Sequence, residues 1–342
     1  MKIIHTADIH LDSPLSKIHD SAARRFELLR AVSDMSQYAD NNGVSAIIVA
    51  GDLFDGETAS EQTIESVAEI IRNGKADWFV LRGNHGDVSP YRKLEQRCNV
   101  KMFGSEWTYY NLGNVTICGR ELGNNDDEQY RELRLDAQRY NIVVLHGDVD
   151  NDGYGLIDGK ALAKSNARYV ALGHRHSFAE LKFGRVKACY SGTLESRGFD
   201  EQSPTGFVVI DTENDSFSFV EQAIRSVSTA TVCVDNVTSD IALRNKISDC
   251  TAQISKRNYL NVVFTGALKT GVHLELVAKE FLRDKFFALR IEDRTTSDYD
   301  LDALSCEVSL RGEFVKLAMQ ISDERTRDEI LKFGLSALDG EV

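Results

Sequence analysis

Residues 170–178 read VALGHRHSF, an apolar run that ends in glycine and is followed by two histidines one residue apart. The chain of 342 residues contains only eight histidines. A short continuous apolar run is typical of a strand that is buried on both faces. Because residues i and i+2 of an extended segment point the same way, we expect His174 and His176 to act at one site.

The same arrangement recurs after four other predicted strands, whose last or following side chains can bind metals or transfer protons. These are Asp8 and His10 after KIIHTA, Asp52 after AIIVAG, Asn84 and His85 after WFVLRG, and His146 after NIVVL. Helical patterns alternate with these strands, which predicts a mainly parallel sheet covered by helices. Ligands bind at the carboxyl ends of the strands in such sheets, so we expect these residues to converge.

The residue types at these strand ends favour a metal site that acts on a phosphoester. Imidazole and carboxylate groups with one amide oxygen suit manganese, iron or zinc, whereas an all-oxygen set would suggest magnesium or calcium. Two ions roughly 3.5–4 Å apart can activate water and stabilise an in-line displacement. Asp52 is the natural bridging carboxylate. Each motif alone is ambiguous, because D-x-H and G-D also occur in structural turns, but five in succession favour a functional site.

Length, composition and charge limit the classes of protein to which the chain can belong. The length predicts two domains, and 42% hydrophobic residues are typical of a soluble globular protein. No apolar run approaches the ~20 residues that cross a bilayer, and the polar N-terminus is unlike a signal peptide, so we expect a cytoplasmic protein. The net charge of −13 weighs against unaided binding of nucleic acid. Six cysteines without a C-x-x-C pair predict reduced thiols.

The series D-x-H, G-D, G-N-H, H-G and G-H-x-H resembles the calcineurin-like metallophosphoesterases. The stretches IHTADIHLDSPL, VVLHGDV, YVALGHRH and YSGTLESRGFDE resemble one branch, the SbcD-like DNA repair exonucleases in their short bacterial form. This resemblance implies an α/β fold, a sandwich of β-sheets flanked by helices. It also implies a catalytic domain at 1–228 and a smaller α/β capping domain with a helical tail at 229–342.

The resemblance also implies two metal ions, with manganese expected first and iron or zinc as alternatives. Their ligands would be Asp8, His10 and His176 at one site, Asn84, His146 and His174 at the other, and Asp52 between them. His85 would not bind metal. It would approach the scissile phosphate, stabilise its developing charge and protonate the leaving oxygen. Hydroxide formed at the metals would be the nucleophile, without a covalent enzyme intermediate.

Three further residues are candidates for supporting roles. The family usually has an acidic residue directly after the catalytic histidine, but here Gly86 stands in that place and Asp87 follows it. We expect Asp87 to substitute through a shifted loop. Asp55 is a candidate partner for a ligand histidine, or a solvated loop residue. His5 lies inside the first predicted strand and is either a core histidine or a support to the ligands.

The resemblance implies a DNA repair nuclease that hydrolyses phosphodiester bonds, an exonuclease with some endonuclease activity. The resemblance implies a homodimer beside a coiled-coil ATPase of the SbcC type. A phosphodiesterase or phosphatase for small molecules is the alternative, because the superfamily shares the metal site and the acidic charge favours this reading a little. A catalytically inactive scaffold is a third hypothesis, against which the intact set of ligands argues.

Overall fold

The computed structural model describes residues 1–15, 20–56, 59–85, 87–122, 129–149, 155–201, 204–269, 271–297 and 301–338. The chain divides into two compact units, Met1–Val227 and Ser228–Val342. No helix of the described residues combines the length and the apolar character that crossing a membrane requires.

Two six-stranded sheets make up the first unit in the described residues, with strands numbered in chain order. One sheet has the spatial order β12 (Ser216–Glu221), β11 (Gly206–Asp211), β1 (Lys2–Thr6), β2 (Val44–Ala50), β3 (Asp77–Leu81) and β4 (Val100–Met102). The other has the order β5 (Thr108–Leu112), β6 (Val115–Gly119), β7 (Tyr140–His146), β8 (Tyr169–Gly173), β10 (Val186–Tyr190) and β9 (Ala179–Phe183).

The parallel strands predicted from the alternation of strands and helices are present, but they are divided between the two sheets. Each sheet has a parallel centre, β1 to β4 in one and β6, β7, β8 and β10 in the other. The outer strands β5, β9, β11 and β12 run antiparallel to their neighbours. Hairpins need no crossover helix, so strands such as β5 and β9 leave no helical spacer in the sequence. Gly113 and Gly184, with φ of 54° and 59°, lie in the turns of two of these hairpins.

The two sheets pack face to face, as the predicted sandwich requires. Ile48 and Phe79 of the first sheet belong to the same buried cluster as Ile142, Val144 and Tyr169 of the second. Burial of these apolar faces stabilises the fold by about 25 cal/mol per Å². The carboxyl ends of β1, β2, β3, β7 and β8 are therefore held in place by one continuous core.

Helices connect the parallel strands: α1 (Ser21–Asn41), α2 (Glu61–Asn73), α3 (Val88–Arg97) and α4 (Gly159–Lys164). The buried positions of α2 follow the i, i+3, i+4, i+7 spacing of an amphipathic helix: Ile64, Val67, Ala68 and Ile71. The Ser60 hydroxyl accepts the Thr63 N–H at 3.1 Å and caps this helix. In α1, the Asp20 carboxylate caps the first turn by accepting the Ala23 N–H.

The second unit is a smaller α/β structure. Within its described residues, β14 (Tyr259–Leu268) is the central strand between β13 (Val227–Cys233) and β15 (Ala288–Ser297), to which it runs parallel. The helices are α5 (Asp240–Thr251), α6 (Leu274–Leu282), α7 (Leu301–Ser305), α8 (Leu310–Ala318) and α9 (Glu324–Leu338). Val232, Leu243 and Phe264 are fully buried in its main core.

Candidate metal centre

The seven predicted ligands form one connected cluster where five strands end. Asp8, Asp52, Asn84 and His174 follow β1, β2, β3 and β8, and His146 is the last residue of β7. Three of these strands belong to one sheet and two to the other. The site therefore lies at one edge of the sandwich and draws on both layers, as ligand sites at the carboxyl ends of parallel strands do.

One group of ligand atoms belongs to Asp8, His10 and His176. These atoms all lie within 4.8 Å of one another, and the two imidazole rings are 5.1 Å apart between centroids. Nε2 of His10 is buried and has no hydrogen-bond partner among the described residues. A buried nitrogen without a partner costs free energy, which a bound cation would remove. This orphaned atom is direct structural support for a metal ligand.

A second group forms around the side-chain oxygen of Asn84. Its Oδ1 lies 2.7 Å from Nε2 of His146 and 3.2 Å from Nδ1 of His174. The two imidazole rings stand edge to face, 5.3 Å apart between centroids. One amide oxygen and two imidazole nitrogens thus point to a common place, which is the donor set of a transition-metal site.

Asp52 lies between the two groups. Its Oδ2 is 3.3 Å from Nε2 of His146 and 3.8 Å from Nε2 of His10. Its other oxygen, Oδ1, accepts the backbone N–H of His85 at 3.1 Å. The carboxylate therefore has one oxygen available to both groups, which is the geometry that a bridging ligand needs.

The second ring nitrogen of each ligand histidine also faces an oxygen atom. The pairs are His10 Nδ1 with Asp55 Oδ1 at 3.3 Å, His146 Nδ1 with the Ala50 carbonyl at 2.9 Å, His174 Nε2 with Asp148 Oδ2 at 3.4 Å, and His176 Nδ1 with Glu201 Oε1 at 3.0 Å. Such partners fix the orientation and tautomer of a ligand histidine. Sequence reasoning anticipated only Asp55. Asp148 and Glu201 lie in loops, and the sequence carries no periodic signal for them.

The catalytic candidate His85 stands at the exposed side of the cluster. Its side chain is exposed, and its ring lies 5.3 Å from that of His10 between centroids. The Asp87 carboxylate caps α3, where its Oδ1 accepts the Val88 N–H at 2.7 Å. Asp87 is therefore placed as a helix cap, while Gly86 lies outside the described residues.

His5 is a core residue that links the two sheets. It is fully buried, with Nδ1 3.0 Å from the Tyr169 hydroxyl and Nε2 3.2 Å from the Leu172 carbonyl oxygen. Burial lowers its pKa to about 3, although the hydrogen bond to Leu172 opposes that shift. Its two ring nitrogens are thus engaged in the core and not in the ligand cluster.

The backbone turns sharply at four of the ligands. Asp8, His10, Asp52 and His174 have φ values of 52°, 49°, 51° and 100°, in the left-handed region that non-glycine residues rarely occupy. Such strain concentrates at functional sites, where it aims side chains. The expected extended conformation after β8 is therefore wrong. His174 turns towards Asn84, while His176 faces Asp8 and His10.

Two glycines allow the His146 ring to lie where it does. A Cβ at Gly173 would be 1.9 Å from the Ala50 carbonyl oxygen and 2.7 Å from Nδ1 of His146. A Cβ at Gly51 would be 2.0 Å from the same nitrogen. The glycines of the G-D and G-H motifs are consequently packing requirements of the site, a role that the turn motifs alone did not reveal.

The electrostatics of the cluster favour a bound cation. Complete burial raises the pKa of Asp8, although the neighbouring histidines oppose the shift. Burial lowers the pKa of His10, so that its imidazole stays neutral. Burial disfavours the charged form of His146 too, but Asp52 and Asp8 outweigh it and raise the pKa of this histidine. Divalent ions would neutralise the buried carboxylates and would replace the proton that Asp52 and Asp8 favour on His146, so the residues fit metal ions.

Comparisons with known proteins agree with this chemistry. Residues 1–178, just over half of the chain, match the calcineurin-like phosphoesterase family. YhaO of Bacillus subtilis, an uncharacterised metallophosphoesterase, is 27% identical over 283 residues, which are 75% of this chain and 69% of YhaO. A subunit of the nuclease SbcCD of the same organism is 24% identical over 252 residues, or 59% of this chain and 63% of that one.

Two further proteins are more distant. The DNA double-strand break repair protein Mre11 of Methanosarcina acetivorans is 25% identical over 236 residues, which are 61% of this chain but only 36% of Mre11. Among solved structures, a dimetal phosphatase from Danio rerio has 9% identity and a TM-score of 0.40, covering 61% of this chain and 91% of that one. A likeness this weak carries no argument about substrate.

Proposed function

Because this chain belongs to the calcineurin-like phosphoesterase family, we propose that it is a metal-dependent nuclease that hydrolyses phosphodiester bonds in DNA. We place it in the SbcD-like branch, as an exonuclease with some endonuclease activity. The position of Asp52 between the two groups of ligands supports two-metal phosphoester chemistry. The repair nucleases among the relatives support DNA as the substrate.

We propose two divalent ions per chain, manganese first, with iron or zinc suited to the same donors. Asp8, His10 and His176 would hold one ion, Asn84, His146 and His174 the other, and Asp52 would bridge them. When bound, the ions would supply activated water and neutralise charge on the phosphate during in-line displacement.

The residues of the chain perform the remaining tasks. His85, exposed beside His10, would contact the scissile phosphate, stabilise its developing charge and give a proton to the leaving oxygen. The hydrogen bond from the His85 N–H to Asp52 ties this residue to the bridging carboxylate. The residue that would protonate the leaving oxygen is therefore attached to the carboxylate that would bind the metal ions.

The remaining assignments belong to the same proposal. The first unit would be the catalytic domain and the second a cap that shapes the access of DNA. A homodimer in the cytoplasm would work beside a coiled-coil ATPase of the SbcC type. The name of the relative, a subunit of SbcCD, supports such a partner. The net charge of −13 supports dependence on a partner for holding DNA, because neutralising phosphates requires cationic side chains.

A phosphodiesterase or phosphatase for small molecules is the second candidate. The acidic charge is the observation that favours it, since a small substrate needs no extended basic surface. It would use the same ligands and the same His85. The two candidates differ only in what fills the space in front of the metal ions.

The decisive experiment is cleavage of end-labelled duplex and single-stranded DNA by the purified chain with manganese. A chelator control and His85→Ala belong beside it, and His273→Ala in the second unit is a matched surface control. Loss of label that requires manganese and His85 but not His273 supports the nuclease. Rapid hydrolysis of bis(p-nitrophenyl) phosphate without DNA cleavage, even after the co-purifying ATPase is added back, favours the small-molecule enzyme.

A further inference from the structure

The second ring nitrogen of His176 is contacted by two charged side chains. Nδ1 lies 3.0 Å from Oε1 of Glu201 and 3.0 Å from Nη2 of Arg197. Glu201 is 9% exposed and Arg197 16% exposed, so these charges are largely shielded from water. Both residues lie beyond the 178 residues that match the family. Both lie within the stretch YSGTLESRGFDE, although neither belongs to the five short motifs that supply the predicted ligands.

Arg197 holds the Glu201 carboxylate in one orientation. Its Nη2 and Nε lie 2.6 Å and 3.0 Å from Oε1, and its backbone N–H donates to Oε2 at 2.6 Å. The Ser196 hydroxyl donates to the Glu201 carbonyl at 3.1 Å. A carboxylate held at both oxygens has little freedom to rotate, and a charged pair gives short, strong hydrogen bonds.

The backbone that carries this pair is itself fixed from α1. The fully buried Arg24 donates from Nη2 to Oε1 of Glu195 at 2.7 Å and from Nε to the Ser196 carbonyl oxygen at 3.1 Å. Glu195 also accepts the backbone N–H groups of Ile224 and Arg225. A buried, paired cation thus anchors the residue that immediately precedes Arg197.

A neutral imidazole has one proton, so only one of its nitrogens can bind a metal ion. If Nδ1 donates to Glu201, Nε2 is free for the pocket of Asp8 and His10. If Nδ1 accepts from Arg197 instead, the proton is on Nε2 and metal binding is blocked. The guanidinium already contacts Glu201 at 2.6 Å, which leaves the carboxylate as the acceptor for His176.

We infer that Glu201 is a positioning residue of the metal centre, which selects the Nδ1–H tautomer of His176 and presents Nε2 to the site of Asp8 and His10. Arg197 keeps the carboxylate in place for this purpose. The inference rests on the proposed metal centre but concerns ligand preparation and not the identity of the substrate.

The test is a manganese titration of the full chain, followed by calorimetry and by electron paramagnetic resonance. We expect Glu201→Ala to weaken one of two binding steps by about 10- to 100-fold and to leave the other unchanged. Glu201→Gln retains an acceptor oxygen and should show a smaller loss at the same step. Glu221→Ala, at an exposed position of β12, is the matched control and should bind like the unaltered chain.

Nitrogen-15 NMR of the zinc-loaded chain with labelled histidine reports which ring nitrogen of His176 is protonated. A merely structural role of Glu201 would leave this unchanged. We expect His176 to have a protonated Nδ1, and we expect this signature to be lost in Glu201→Ala. Wild-type affinity at both steps in a folded Glu201→Ala would overturn the inference. If Glu201→Ala does not fold, wild-type manganese affinity at both steps in Glu201→Gln would overturn the inference.

These measurements use no substrate, so they separate the two proposals. A weakened binding step in Glu201→Ala, together with absence of DNA cleavage by the unaltered chain even after the co-purifying ATPase is added back, overturns the nuclease alone. Normal cleavage with unchanged metal binding in Glu201→Ala overturns the positioning role alone.

Discussion

Oδ1 of Asn84 lies 2.7 Å from Nε2 of His146, although 62 residues separate them in the chain. Asn84 follows β3 of one sheet, and His146 ends β7 of the other. This contact joins the two layers of the sandwich at the candidate metal centre. The site consequently depends on the packing of the sheets as much as on its own side chains.

His85→Ala should separate chemistry from metal binding. The side chain is exposed, and the hydrogen bond to Asp52 comes from the backbone N–H, so removal of the ring leaves the ligands intact. Loss of a general acid costs about 10²–10⁴ in rate. We expect turnover on a diester to fall by that amount while manganese stoichiometry stays at the wild-type value. Equal loss of metal and turnover would show that His85 is a ligand.

Gly173→Ala should remove metal binding without touching a ligand. The added Cβ would meet the Ala50 carbonyl oxygen at 1.9 Å and His146 Nδ1 at 2.7 Å, so the ring must move. We expect manganese affinity to fall by at least about 10-fold, by analogy with the loss of a supporting partner. Gly104→Ala is the matched control, because nothing lies within 4 Å of its Cβ. Similar affinities in the two variants would contradict the packing argument.

His5 should make stability depend on pH. Burial lowers its pKa from 6.5 to about 3, so the unfolded chain binds a proton that the folded chain does not between these values. The contribution of His5 to the free energy of unfolding is fully present above pH 6.5. It decreases as the pH falls towards 3, by up to about 1.4 kcal/mol per pH unit. Urea unfolding of the metal-free chain between about pH 4 and 7 measures this slope.

The comparison that isolates His5 uses two glutamine variants. His5→Gln cannot take up the proton and should flatten the slope, whereas His273→Gln, at an exposed position, should leave it unchanged. The ligand histidines titrate in both variants and cancel in the difference. A slope that survives in His5→Gln would assign the pH dependence to those ligands instead.

Arg24→Met should destabilise the first unit strongly. It removes the guanidinium from a buried pair with Glu195 at 2.7 Å and leaves a buried carboxylate without its cation. Breaking one partner of a buried pair costs about 3–5 kcal/mol, which urea unfolding would detect. Arg72→Met breaks an exposed pair with Glu65 and should shift the urea midpoint far less, because water already screens that pair. Comparable losses would mean that the buried pair contributes no more than a surface one.

The sequence alone predicted which residues meet at the site. The carboxyl ends of parallel strands lie at one edge of a sheet, so polar residues after successive apolar runs had to converge. The seven predicted ligand residues lie together as that rule requires, and Asp55 lies beside His10, which is one of the two positions considered for it. The family also followed, because its motifs are short, local and tied to strand ends.

Tertiary structure alone decided the features that depend on loop paths and on the second sheet. Glu201 and Asp148 have no periodic neighbours in sequence, and only folding brings them behind His176 and His174. The left-handed turn at His174 replaced the extended segment that strand periodicity suggested. The antiparallel strands were missed because a hairpin needs no crossover helix to mark it. Local pattern reports which face a residue occupies, whereas contacts between distant loops arise only from the packed core.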